Sequence, residues 1–311
     1  MKRFWYIILS IGTASLAFTA GTSYYMLRHA LSPETGRADT ARCFQRFAEH
    51  HPEANLWLDS LRSNKAFRDT FVVMPSGERH HAYYVHQAEG APVALVLHGW
   101  RGCAIDFLQY GHMYHQKLEC NILLPDLHAH GLSEGDAIGM GWKERHDVLH
   151  WMSVAADLFQ TEAFIVHGIS MGAATTMSVS GEPMPAFVKR IHFVEDCGYT
   201  SVWDELRSEL KAQFGLPAFP LMHTTSLLCR LLYGWDFCEA SSLQQVAKCQ
   251  WPMLFIHGDN DHFVPTWMVH PLYEAKPSQK QLWITPGTAH ALSLSDHPEE
   301  YIERLKAFIR Q

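Results

Sequence analysis

An α/β architecture, a mostly parallel sheet covered on both faces by helices, is the fold class this sequence predicts. Three observations carry it: short apolar runs alternate with longer amphipathic ones, several runs are apolar throughout, and no internal repeat or low-complexity tract is present. At 311 residues, with 47% hydrophobic and 18% charged residues, the chain is long enough to bury a large core, which excludes disorder, collagen and coiled coil.

The first element is an uncharged stretch of 24 residues from Phe4 to Leu27, preceded by Lys2 and Arg3 and followed by Arg28. A helix of that length spans a bilayer core of about 30 Å. Trp5, Tyr6, Tyr24 and Tyr25 stand where interfacial aromatic residues belong. The positive charges ahead of the stretch place the N-terminus in the cytoplasm and the remainder outside it. The expectation for residues 1–28 is an uncleaved signal anchor first. A cleaved signal peptide, and hence export, comes second, because Thr19, Ala20 and Gly21 resemble a weak processing site.

Residues 29–68 read as a polar helical lead-in, with Ser32-Pro33-Glu34 as a helix start. Residues 69–311 then form the main domain, with eight candidate strands at 71–74, 82–86, 93–97, 122–124, 164–167, 192–194, 253–257 and 281–285. Val-Ala-Leu-Val-Leu at 93 to 97 suits a strand buried on both faces. Helix-period segments lie at 142–159 and 266–275 and close the chain, with Tyr301, Leu305, Phe308 and Ile309 on one face. From about 200 to 250 the rhythm breaks into two helix-like pieces, which predicts a helical cap over the sheet. Phe214, Phe219, Tyr233, Trp235 and Phe237 are its candidates for a pocket lining.

Charge narrows the partners. Lys and Arg number 25 against 32 Asp and Glu, a net charge of −7, and no basic run is long enough to track phosphates, so nucleic acid is not an expected partner. Seven cysteines without a Cys-x-x-Cys spacing argue against a zinc cluster or a redox motif. His146 and His150 share a helix face, but no His-Glu-x-x-His occurs, so neither a metal nor another cofactor is expected.

Gly-x-Ser-x-Gly occurs twice, at 131–135 and at 168–172. The pattern suits a sharp turn from strand to helix that lifts a serine hydroxyl above a sheet. Ser170 follows the strand-like Phe164-Ile165-Val166-His167 and precedes the small residues Ala173 to Thr176, which is the required order. Ser133 follows the polar Asp126-Leu127-His128-Ala129-His130 and reads as a loop residue. Serine is a weak nucleophile unless a histidine takes its proton and a carboxylate holds that histidine. His290 follows the last strand, and Asp261 follows the one before it. Asp261 is the preferred acid; Asp259, two residues away, and Asp196, at the end of the strand around 191–195, remain alternatives.

The ordered set of motifs resembles the α/β-hydrolase superfamily over residues 70 to 310. Leu97-His98-Gly99-Trp100 looks like that family's oxyanion loop, and Asp126 to Gly135 and His257 to Pro265 resemble two further family turns. The resemblance implies that backbone N–H groups of Trp100 and Met171 hold a developing oxyanion and that His98 and His257 are structural. The N-terminal segment together with Glu195-Asp196-Cys197-Gly198-Tyr199 resembles membrane-associated bacterial hydrolases of the dipeptidyl-peptidase-like branch. The expected protein is therefore a membrane-anchored serine hydrolase acting on a small-molecule acyl substrate. A carboxylic ester is the first substrate class, and a peptidase, amidase or acyltransferase is the alternative. A catalytically silent binding scaffold is the rival outside enzymes. Arg101 is expected at the substrate rim; the oligomeric state is not legible.

Overall fold

The computed structural model describes residues 2–310, with the side chains of 2–5 and 7–16 left undescribed. Helix α1 (Lys2–Leu31) is followed by α2 (Thr40–His50) and α3 (Pro52–Ser63), and then by β1 (Phe67–Val73), β2 (Arg79–Val85) and β3 (Val93–Leu97). Next come α4 (Leu108–Leu118), β4 (Asn121–Pro125), α5 (Glu144–Phe159), β5 (Ala163–Ile169), α6 (Met171–Ser180) and β6 (Arg190–Asp196). The cap helices α7 (Val202–Phe214), α8 (Leu221–Tyr233) and α9 (Ser242–Val246) lead to β7 (Met253–Gly258) and α10 (Val269–Ala275). The chain finishes with β8 (Lys280–Thr285), α11 (Ser293–Asp296) and α12 (Pro298–Ile309).

All eight expected strands join one sheet in the order β1-β2-β4-β3-β5-β6-β7-β8. The β1–β2 and β2–β4 pairings are antiparallel and the rest parallel. Because side chains alternate across a strand, the fully apolar β3 serves both layers. Val93, Leu95 and Leu97 pack in the core under α5 and α6, while Ala94 and Val96 pack in the core under α4 and α12.

One expectation changes. Ser32-Pro33 does not start a helix: α1 runs through Leu31, and Pro33 stands in the turn beyond its end, where a residue lacking an N–H cannot extend it. The helix that follows starts at Thr40, capped by the Asp39 carboxylate, which accepts from the Arg42 N–H at 3.1 Å. The end of α1 packs against the main domain. Leu27, Ala30 and Leu31 are buried in the core, the Ser23 and Thr224 hydroxyls lie 2.6 Å apart, and the Ile138 N–H donates to the Leu31 carbonyl at 2.8 Å.

Among the described residues, no helix is long and apolar enough to cross a membrane. Half of the 4–27 segment on which the anchor expectation rests lies outside the described side chains. All seven cysteines are free thiols.

Candidate active site

The tight turn between β5 and α6 creates the site. Ser170 sits at φ 58°, a left-handed backbone that a non-glycine residue adopts only under constraint. The flanking glycines supply that constraint, since a Cβ on Gly168 would overlap the Gly172 carbonyl and one on Gly172 would overlap the Leu97 carbonyl. With all of α6 buried and small residues at Ala173 and Ala174, the helix starts against the sheet and holds the serine at its edge.

The structure brings three expected residues into one hydrogen-bonded line. The Ser170 Oγ lies 2.9 Å from His290 Nε2, and His290 Nδ1 lies 2.7 Å from Asp261 Oδ2. The second Asp261 oxygen accepts the N–H groups of Phe263 and Val264, each at 3.0 Å, which fixes the carboxylate. Burial alone would push Asp261 up. Hydrogen bonds from His257 and His290 outweigh it and hold the group at about 2, so it is ionised at neutral pH. A fixed carboxylate on Nδ1 puts the imidazole proton there and leaves Nε2 free to accept the serine proton.

The alternative acids are occupied elsewhere. Asp259 accepts from the Gly287 N–H at 2.6 Å, closing a turn. Asp196 accepts from the Tyr301 hydroxyl at 2.9 Å and from Ser293 at 3.3 Å, and burial raises it to about 6. Ser133 is likewise committed: it donates to the Asp126 carbonyl at 2.6 Å and accepts the His81 N–H at 2.9 Å. His98 and His257 tie backbone together, His98 by accepting the Leu127 N–H at 2.9 Å and donating to the Gly99 carbonyl at 2.8 Å. His257 donates to the Val264 carbonyl at 2.9 Å.

Two backbone segments flank the serine hydroxyl. Met171 opens α6, where the first N–H groups have no intrahelical acceptor. The other segment runs through Gly99, where a Cβ would stand 3.4 Å from that of Ser170, into Trp100. Arg101 differs from the rim expectation. Its guanidinium stacks 4.1 Å from the Trp100 ring and donates to the His29 carbonyl at 2.8 Å, so it clamps α1 to this loop and does not line the cleft.

The cleft above Ser170 lies between α1, the loop at Trp100 and the cap. Of the five cap aromatic residues expected there, Phe214 and Phe237 line it; Phe219 points to solvent at 73% exposure, and Trp235 is buried in the core. Sequence reasoning missed Met26, His29 and Ala30 from α1 and the carboxyl groups of Glu205 and Glu209 from α7. The i, i+4 spacing of Glu205 and Glu209 marks a shared helix face, but nothing in the sequence shows that this face looks inward. Among the described residues, no Lys or Arg lines the cleft.

Comparison with solved structures decides the fold. An esterase from Pyrococcus furiosus, Pf2001, superposes with a TM-score of 0.62 at 21% identity, over 78% of this chain and 89% of that one. The α/β hydrolase GrgF from Penicillium gives 0.59 at 13% identity, over 78% and 98%. The chain has the α/β-hydrolase fold. The acylaminoacyl peptidase of Pyrococcus horikoshii shares this hydrolase fold at a TM-score of 0.57 and 18% identity, over 80% of this chain and 42% of that one. Among curated proteins, the uncharacterized protein YqkD of Bacillus subtilis (strain 168) is 27% identical over 254 residues, 81% of this chain and 82% of that protein. No family model matches.

Proposed function

We propose that this α/β-hydrolase-fold protein is a serine hydrolase whose first substrate class is a carboxylic ester. The observation that carries the reading is the unbroken line from Ser170 through His290 to Asp261 at a cleft lined by α1, the Trp100 loop and the cap. The Ser170 Oγ attacks the carbonyl carbon while its proton moves to His290 Nε2. The carbonyl π electrons move onto oxygen, where the Trp100 and Met171 N–H groups receive the charge. Collapse of this intermediate expels the alcohol with the proton from His290. Water then repeats the sequence on the acyl-enzyme, giving the acid and restoring the serine.

The cleft wall selects the substrate. Met26, Met140, Leu206, Leu210, Met222 and Phe237 offer apolar surface, and no Lys or Arg among the described lining residues could pair with a carboxylate or phosphate on the acyl group, which favours an uncharged one. The folds shared with esterases and with peptidases support hydrolysis of either an ester or an amide. Comparing matched ester and amide substrates separates the two. The uncharged 24-residue run between Arg3 and Arg28 supports anchoring to a membrane through the N-terminus, with the hydrolase domain outside the cytoplasm.

Ser170→Ala tests the assignment. The account expects kcat on an activated ester to fall at least about 1000-fold with the thermal melt retained. A variant within tenfold of the natural protein contradicts it.

A further inference from the structure

His80, on β2, is fully buried, yet neither ring nitrogen has a hydrogen-bond partner. A neutral imidazole carries one donor and one acceptor, and a buried polar group is ordinarily paired. Its neighbours offer a pairing of a different kind. One ligand atom from each of Glu78, His80 and His128 lies within 4.8 Å of the others, and His128 Nδ1 stands 3.2 Å from Glu78 Oε2. A fourth group approaches from α5: Asp147 Oδ2 is 3.8 Å from His80 Nδ1, and its side chain is only 14% exposed.

We propose that Glu78, His80 and His128 form a binding site for a divalent transition-metal ion, zinc foremost, with Asp147 adding negative charge beside it. Two imidazoles and one carboxylate are three donors of the types zinc takes, and Asp147 stands beside His80 as a further acid. Zinc bonds near 2.1 Å put neighbouring ligand atoms roughly 3.4 Å apart; the 3.2 Å between His128 Nδ1 and Glu78 Oε2 already fits, and the remaining separations, within 4.8 Å, close by side-chain rotation on binding. Imidazole donors select against calcium and magnesium, which take oxygen ligands.

Glu78, His80 and His128 come from the β1–β2 turn, β2 and the loop after β4, so one ion would cross-link segments distant in sequence. His130 of that same loop accepts the Arg101 N–H at 3.1 Å, which connects the site to the loop beside Ser170. A second cluster, Cys43, Cys103 and Asp106, lacks such a vacancy because Arg46 already pairs with Asp106.

The test uses the full chain, stripped with EDTA and dialysed, titrated with zinc by calorimetry and with cobalt by absorption. The expected result is one zinc per chain, a higher Tm with zinc, and cobalt d–d bands without thiolate charge transfer. Glu78→Gln and His128→Gln alter partly exposed positions, so each should keep a cooperative melt. Each should weaken zinc by more than the roughly 10- to 100-fold that loss of an outer-sphere partner produces. Folded natural protein that binds no zinc overturns the proposal. So does zinc binding that survives both variants, or a cobalt spectrum with thiolate character that Cys43→Ser removes.

Discussion

The indole Nε1 of Trp100 donates to the carbonyl of Ala30 at 2.9 Å, so the loop beside Ser170 hangs from the last turn of α1. Beside it, the Arg101 guanidinium holds the His29 carbonyl at 2.8 Å. The N-terminal helix is therefore a wall of the cleft and a support for the proposed oxyanion donor. Trp100→Phe keeps the ring and removes the donor. A net hydrogen bond is worth about 1 kcal/mol, so kcat on an activated ester should fall about 5-fold with KM little changed. Steady-state kinetics check this.

Asp261 contributes orientation and charge rather than a proton. In Asp261→Asn the backbone N–H groups of Phe263 and Val264 keep an oxygen to bond, while His290 loses its anionic partner and its preferred tautomer. The expected fall in kcat is on the order of 1000- to 10000-fold. Asp196→Asn and Asp259→Asn should each keep kcat within about tenfold, since neither carboxylate bonds to His290. A larger loss in Asp259→Asn than in Asp261→Asn would reassign the acid.

Glu195 gives a pH signature. It is fully buried on β6, one oxygen accepts the Gly198 N–H at 3.0 Å, and the other has no partner. Burial first raises it to about 8, against 4.5 for the free group. The folded chain then holds a proton that the unfolded chain releases, so this group's contribution to stability is full below about pH 4.5 and is lost as pH rises toward 8. Glu195→Gln removes that loss. The variant should be more stable than the natural protein by a few kcal/mol at pH 8, with the gap closing toward pH 5, in denaturant melts across that range.

The residues that were legible in the sequence are those whose chemistry is local. The strands buried on both faces announce themselves as apolar runs, and the turn at Gly168 to Gly172 is written in its glycines, whose missing side chains the close backbone contacts require. Edge strand β1 was legible only from Phe71, because Arg68 and Asp69 on its exposed side look like loop. The order of Asp261 and His290 after Ser170 follows from chain position, but the choice among Asp196, Asp259 and Asp261 needed the turns that Tyr301 and Gly287 close. The role of Arg101 and the contribution of α1 to the cleft depend on which helix face meets the cap. That is a long-range packing outcome with no local signature.

The central claim is that His290 and Asp261 activate Ser170. Labelling the folded protein with a fluorophosphonate probe and mapping the adduct tests it most directly. The account predicts one adduct, on Ser170, and its loss in Ser170→Ala. An adduct on Ser133, or folded protein left unlabelled, would contradict it.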